Sequence, residues 1–197
     1  MDKQQLTEIL DELDDALVKV FPVALPIKAM LVGGACLVFA GVISRPTKDI
    51  DCIIFDLMGS TEENSLIFTT PLATKVRRVI TAVGAKHGFR GKEKLFFNDD
   101  ASPFLLELSD NALPPMRLFR EYQKIHLYMP DNLEYILACK LMAGRADKDF
   151  SDIAALCQLL HIQTQGEAQA IVDRYFPSRI DQRVHLLPAT LNRFFPL

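Results

Sequence analysis

Leu6, Ile9, Leu10, Leu13, Leu17 and Val20 recur at spacings of three and four. That spacing predicts an amphipathic helix near the start of the chain. Its other face carries Glu8, Asp11, Glu12, Asp14 and Asp15, which reads as a solvated acidic face, with a partner-binding surface as the alternative. Pro22 and Pro26 end the helix. A short apolar run at 29–32 predicts a buried strand. Gly33 and Gly34 then turn the chain into a helix over about 35–40, and Gly41 suits its C-terminal cap. Pro46 makes a tight turn before a strand at 50–55, rich in β-branched and aromatic residues.

Residues 56–65 are polar and predict a loop. A helix is expected at 71–87, with Val76, Val79, Ile80 and Val83 inward. Runs at 95–97, 104–108 and 125–128 are candidate strands. Helices are expected at 131–143, 148–161, 166–175 and 178–194. Strands cluster in the first two-thirds and helices in the last third. The expected class is α/β (α+β), with a core domain at 1–128 that includes the N-terminal helix and a helical subdomain at 129–197 packed on it. There are no internal repeats and no low-complexity tracts.

A chain of 197 residues fits one large domain or two small ones, and its 49% apolar content can bury a real core. The net charge of -3 gives no bulk attraction to nucleic acid or anionic membranes, although a local basic patch is compatible with it. No uninterrupted apolar stretch is long enough to span a bilayer. The opening Met1-Asp2-Lys3-Gln4-Gln5 does not read as a signal peptide. Cys36, Cys52, Cys139 and Cys157 sit inside apolar segments without a Cys-x-x-Cys pair. They read as reduced core residues of a cytoplasmic protein. His87, His126, His161 and His185 are scattered without zinc-ligand spacing.

The candidate chemistry lies between residues 31 and 55. Residues i and i+2 of a strand share a face, so Asp49 and Asp51 can present two carboxylates side by side. Two like charges that close call for a cation, and Mg²⁺ (or Mn²⁺) suits an all-oxygen donor set. Gly33 and Gly34, leading into a helix, let backbone N–H groups approach an anion closely. The run has neither the third glycine of a dinucleotide fingerprint nor the Gly-Lys-Ser/Thr of a Walker A loop. A phosphate cradle beside a carboxylate pair points to Mg²⁺-nucleotide chemistry. The bland alternatives are a strand–helix turn for the glycines and turn or strand-start acids for the aspartates.

The stretch Gly33-Gly34-x-x-Leu37 followed by Arg45-x-Thr47-x-Asp49-Ile50-Asp51 resembles the nucleotidyltransferase superfamily, which has a DNA polymerase beta-like palm. Within it, the chain is similar to the subgroup of AbiEii-type toxins and to an uncharacterised bacterial branch. A second block supports the likeness: Pro130-x-x-Leu133-x-x-Ile136-Leu137-Ala138-x-Lys140-Leu141-x-Ala143-x-Arg145-x-x-Lys148-Asp149-x-x-Asp152-Ile153. Phe97-Asn98-Asp99 and Tyr175-Phe176-Pro177 resemble the same branch. The resemblance covers roughly 25 to 180 and implies a mixed-sheet palm with a helical C-terminal subdomain.

It also implies that an NTP sets its triphosphate on Gly33 and Gly34 and its metals on Asp49 and Asp51. Thr47 and Arg45 flank this site, and Lys140 and Lys148 are candidates to neutralise phosphates. Lys140 has a rival role, a salt bridge to Asp149 or Asp152. In this superfamily a third carboxylate comes from a neighbouring strand; the candidates are Asp99 and Glu107. The implied acceptor is an RNA or protein hydroxyl, and the implied partner is an antitoxin in a toxin–antitoxin or abortive-infection system. The contrasting expectation is a catalytically degenerate nucleotide-binding or protein-interaction module on the same fold.

Overall fold

The computed structural model describes residues 1–22, 25–60, 65–67, 69–109 and 112–196, with the backbone alone at 146–148. The chain divides into two compact units, Met1–Ser102 with Met116–Met129, and Pro103–Pro115 with Pro130–Leu197.

The first unit opens with α1 (Lys3–Val20). Asp2 and Gln5 form a reciprocal capping box that satisfies two of the free N–H groups at its start. The predicted apolar stripe is buried: Leu6, Ile9, Leu10, Leu13 and Leu17 are all inside. The helix packs on α3 (Pro71–Lys86), which starts at a Thr70 cap and turns Val76, Ile80 and Val83 inward.

The acidic face of α1 departs from the solvated reading. Asp14 is buried, and its carboxylate accepts from the backbone N–H groups of Gln123 (3.0 Å), Lys124 (2.7 Å) and Ile125 (2.9 Å). Glu12 accepts from Lys86 and His87, each at 2.8 Å. These partners lie far along the chain, so the helix periodicity carries no sign of them.

Among the described residues, five strands form one mixed sheet in the order β3-β2-β1-β5-β4. They are β1 (Ile27–Leu31), β2 (Ile50–Leu57), β3 (Phe97–Asn98), β4 (Met116–Glu121) and β5 (Ile125–Pro130). Central β1 runs antiparallel to β2 and parallel to β5, and β2 runs parallel to β3. The expected α/β class with a mixed sheet is the one found. Ile27, Ala29, Met30 and Leu31 of β1 are all buried, as expected for a strand covered on both faces.

Two strand expectations change. The run 104–108 lies in α4 (Ser102–Leu108), where Leu105 and Leu108 are buried three residues apart and Glu107 is exposed. Three-residue spacing of buried leucines fits a helix and not a pleat. Strand β4, by contrast, was not expected. It is an edge strand with little burial, and Leu118 is among its exposed residues, so it lacks the apolar alternation that would reveal it.

The second unit is helical, with α5 (Glu134–Ala143), α6 (Ala146–Leu160), α7 (Gln165–Tyr175), α8 (Arg179–Val184) and α9 (Leu187–Phe194). Tyr135 through Met142 are buried without a break, so α5 is the core helix of this unit. Gly144 adopts the left-handed conformation and closes it. The single helix expected at 178–194 is two helices: Leu186 at φ 55° breaks the run, and Pro188 lies in the first turn of α9. The Phe-rich tail docks on its own unit, with Phe194 stacked on Phe150 at 4.8 Å between ring centres.

Candidate active site

Strand β1 ends at Leu31, and Val32 N–H donates to the Asp51 carbonyl at 2.9 Å. This backbone bond fixes the start of α2 (Gly33–Phe39) against the head of β2. Gly33 has φ +64°, a conformation that disfavours any side chain. A Cβ on Gly33 would lie 2.6 Å from Asp51 Oδ2. A Cβ on Gly34 would lie 2.8 Å from Thr47 Oγ1. The glycine turn, the Asp51 carboxylate and the Thr47 hydroxyl therefore form one tightly apposed surface. Each glycine is needed for the approach of a particular side chain.

Asp49 is half-buried in the loop one residue before β2, and its carbonyl oxygen accepts from Thr47 Oγ1 at 3.2 Å. Thr47 itself is buried. Arg45 and Lys48 are exposed on the same loop. The structure thus brings together Gly33, Gly34, Thr47 and Asp51, with Asp49 two residues from Asp51.

Asp99 follows β3. The β2–β3 register pairs Asp51 with Asn98, not with Asp99. Paired residues on adjacent strands share a face and successive residues alternate, so Asn98 is the residue beside Asp51. Asp99 is buried, and its Oδ2 accepts from Leu66 N–H at 2.9 Å. Burial holds its carboxyl above the ordinary 3.8, against hydrogen bonds from Ser65 and Leu66 that pull it down. Burial, and then the charges of Asp99 and Asp51, also push the Cys52 thiol well above its usual range.

A carboxyl whose pKa is raised in the folded state binds protons more tightly there than in the unfolded chain. Stability then falls as pH rises from the unfolded value of about 4 through the raised one. Asp99→Asn should flatten that fall. Urea denaturation of both proteins at a series of pH values checks it, and parallel slopes would exclude Asp99 as the source.

The remaining predicted site residues belong to the second unit. Glu107 is exposed on α4. Lys140 is buried, with Nζ 2.6 Å from Asp149 Oδ1 and 2.8 Å from Asp152 Oδ2. Arg145 Nε donates to Asp149 Oδ2 at 3.1 Å. The salt bridge that competed with the phosphate role for Lys140 is the geometry seen. The side chain of Lys148 lies outside the described residues.

Residues 8–165 match the model of the family described as "Nucleotidyltransferase of unknown function (DUF6036)". The chain belongs to this nucleotidyltransferase family. No curated protein and no solved structure matched the chain. The family match spans the glycine turn, the Asp49–Asp51 pair and the Lys140–Asp152 block.

The donor set of this nucleotidyltransferase suits a hard cation. Asp51 brings its carboxylate against the glycine turn, with Asp49 two residues before it, and Mg²⁺ uses one or two carboxylates plus substrate phosphates and water. Among the described residues, no three His, Cys, Asp or Glu side chains converge as a protein-only metal cage. The residue that sequence reasoning missed is Asn98. Its place beside Asp51 depends on a register between strands some fifty positions apart, and no local pattern carries that.

The close approach at Gly34 yields a second test. Gly34→Ala should destabilise the protein because its new methyl meets the Thr47 hydroxyl, although alanine is otherwise the better helix residue. Combining it with Thr47→Ala removes the nearest atom. Thermal denaturation of the two single variants and the double should show positive coupling, on the order of 0.5–3 kcal/mol. Additive losses would mean that the glycine answers to something other than Thr47.

Proposed function

We propose that the protein is a metal-dependent nucleotidyltransferase that moves an NMP unit from an NTP to an RNA or protein hydroxyl. One observation carries this reading: the Asp51 carboxylate sits against the Gly33 backbone, where a Cβ would come within 2.6 Å. An anion held by the N–H groups of the glycine turn would lie directly beside the carboxylate of Asp51. Mg²⁺ or Mn²⁺, bound there with the nucleotide, supplies charge neutralisation at the reacting phosphate. The N–H groups at the start of α2 orient the triphosphate. Thr47 fixes the loop by donating to the Asp49 carbonyl.

The likeness of Arg45-x-Thr47-x-Asp49-Ile50-Asp51 and of the late Lys140–Asp152 block to AbiEii-type toxins supports a toxin role in a toxin–antitoxin or abortive-infection system. An antitoxin would then be the natural partner. The purified protein, incubated with labelled ATP, GTP, CTP or UTP and with total RNA or protein, should label an acceptor slowly. Asp49→Ala should abolish the labelling. Binding of NTP and metal with no label transferred from any nucleotide would favour a nucleotide-binding module.

A further inference from the structure

The chain carries a net charge of -3, yet residues 71–96 hold seven Lys and Arg against one acid, Glu93. This segment forms α3 and a short 3₁₀ helix, Gly91–Lys94. Lys75, Arg78 and Lys86 lie at i, i+3 and i+11, so they share one stripe of α3, and all three are exposed. The stripe borders a groove of about 540 Å³ between α1 and α3, with Lys19 of α1 on its far side. Glu12 and Asp15 also line the groove, and Glu12 accepts from Lys86 and His87. On the other flank of α3, a Cβ on Gly84 would lie 2.5 Å from the Lys94 carbonyl oxygen. That glycine lets the 3₁₀ helix lie directly on α3, and Arg90 and Lys92 are exposed there.

Lys75 and Lys86 stand about 16 Å apart along the helix axis. Cations so spread cannot converge on one small anion, and they suit a polymer that repeats its charge. Among the described residues, the exposed large hydrophobic side chains, such as Leu118 and Ile180, lie off α1, α3 and the 3₁₀ helix. A protein partner calls for apolar or aromatic anchors, whereas phosphodiesters call for exposed Lys and Arg. The 3₁₀ helix also leads into β3. Lys94 is four residues from Asn98, at most about 14 Å of chain, and Asn98 pairs with Asp51.

We infer that the basic surface of α3 and the 3₁₀ helix docks an RNA strand by its phosphodiester backbone and presents a hydroxyl of that RNA to the Asp51 site. The inference rests on the nucleotidyltransferase reading and selects RNA as its acceptor. The rest of the chain is more acidic than the whole, so a polyanion is steered to this face. At the site, the RNA hydroxyl oxygen bonds to the α-phosphorus and its proton passes to water. The bond from that phosphorus to the α,β-bridging oxygen breaks, and pyrophosphate leaves with the electron pair.

The test titrates the full chain into a fluorescent single-stranded RNA of mixed sequence, read by anisotropy at several salt concentrations. Three phosphate contacts give a slope of about -2 in log K against log salt, and the wild type should be at least that steep. Arg78→Ala combined with Lys92→Ala should weaken binding about tenfold and reduce the slope by roughly 1.4, at about 0.7 per contact. Arg193→Ala removes an exposed cation from α9 and should bind as the wild type does. With Mg²⁺ and α-labelled NTP, label should reach the RNA, and the double variant should need about tenfold more RNA for half-maximal labelling. The wild-type salt slope stands as a test even if that variant does not fold.

No binding, salt-independent binding, or a folded double variant that binds like the wild type overturns the inference. Equal competition by a polyglutamate of the same charge also overturns it and assigns the surface to an acidic protein. Label that goes to protein and not to bound RNA rejects RNA as the acceptor. Calorimetry of NTP with metal separates the two levels. Metal-dependent NTP binding without RNA binding rejects this inference alone, whereas RNA binding without metal-dependent NTP binding rejects the nucleotidyltransferase reading and the acceptor role that rests on it.

Discussion

Asp51→Ala should remove the metal-dependent part of nucleotide affinity and leave the fold intact. In the wild type, Mg²⁺ or Mn²⁺ should tighten NTP binding at least tenfold, about 1.4 kcal/mol. The variant should bind with the same weak affinity with or without the metal. The fold should survive because Asp51 is only half-buried. The backbone bond from Val32 N–H to the Asp51 carbonyl is independent of the side chain. Calorimetric titration with and without metal, on protein whose melting is unchanged, decides the matter. Equal metal-dependent tightening in both proteins would remove the carboxylate from the site.

Lys140→Ala should cost stability, on the order of 3–5 kcal/mol. The ammonium lies between the carboxylates of Asp149 and Asp152, and all three side chains are at most 5% exposed. It ties α5 to α6 inside the helical unit. Removing it takes the ammonium from two buried carboxylates, of which Asp149 keeps its bond from Arg145. Arg145→Ala should change stability by less than about 1 kcal/mol, because its side chain is 59% exposed and surface pairs contribute little. Urea unfolding of both variants measures the contrast. A Lys140→Ala protein of normal stability that loses only nucleotide affinity, by about 1.5–3 kcal/mol, would restore the phosphate-binding role.

The site and the fold were legible to different depths. The α1 stripe and the β1–turn–α2–β2 order are local patterns, and the structure places them where period and glycine predict, whereas Asp49 lies in the loop just before β2 and not on the strand face expected for it. The helix at Ser102–Leu108 was misread because five residues with apolar members at both ends satisfy either period. Strand β4 escaped because an edge strand with little burial has no apolar alternation to display. Asn98 beside Asp51 and Asp14 beneath the β4–β5 turn were illegible for a deeper reason. Each depends on which distant segments pair, and pairing is settled by the whole sheet.

The three hydrogen bonds to Asp14 also bear on how the chain is made. Its partners lie 109 to 111 residues downstream. At a synthesis rate of about 5–20 residues per second, that interval is roughly 5–20 s on the ribosome. Throughout it, α1 carries an apolar stripe and a carboxylate whose N–H partners have not yet been translated. The residues at 103–115, which join the other unit, are also translated before the turn that Asp14 needs. The first helix made is among the last to be locked, and a chaperone would find this unit open until residue 125 has left the tunnel.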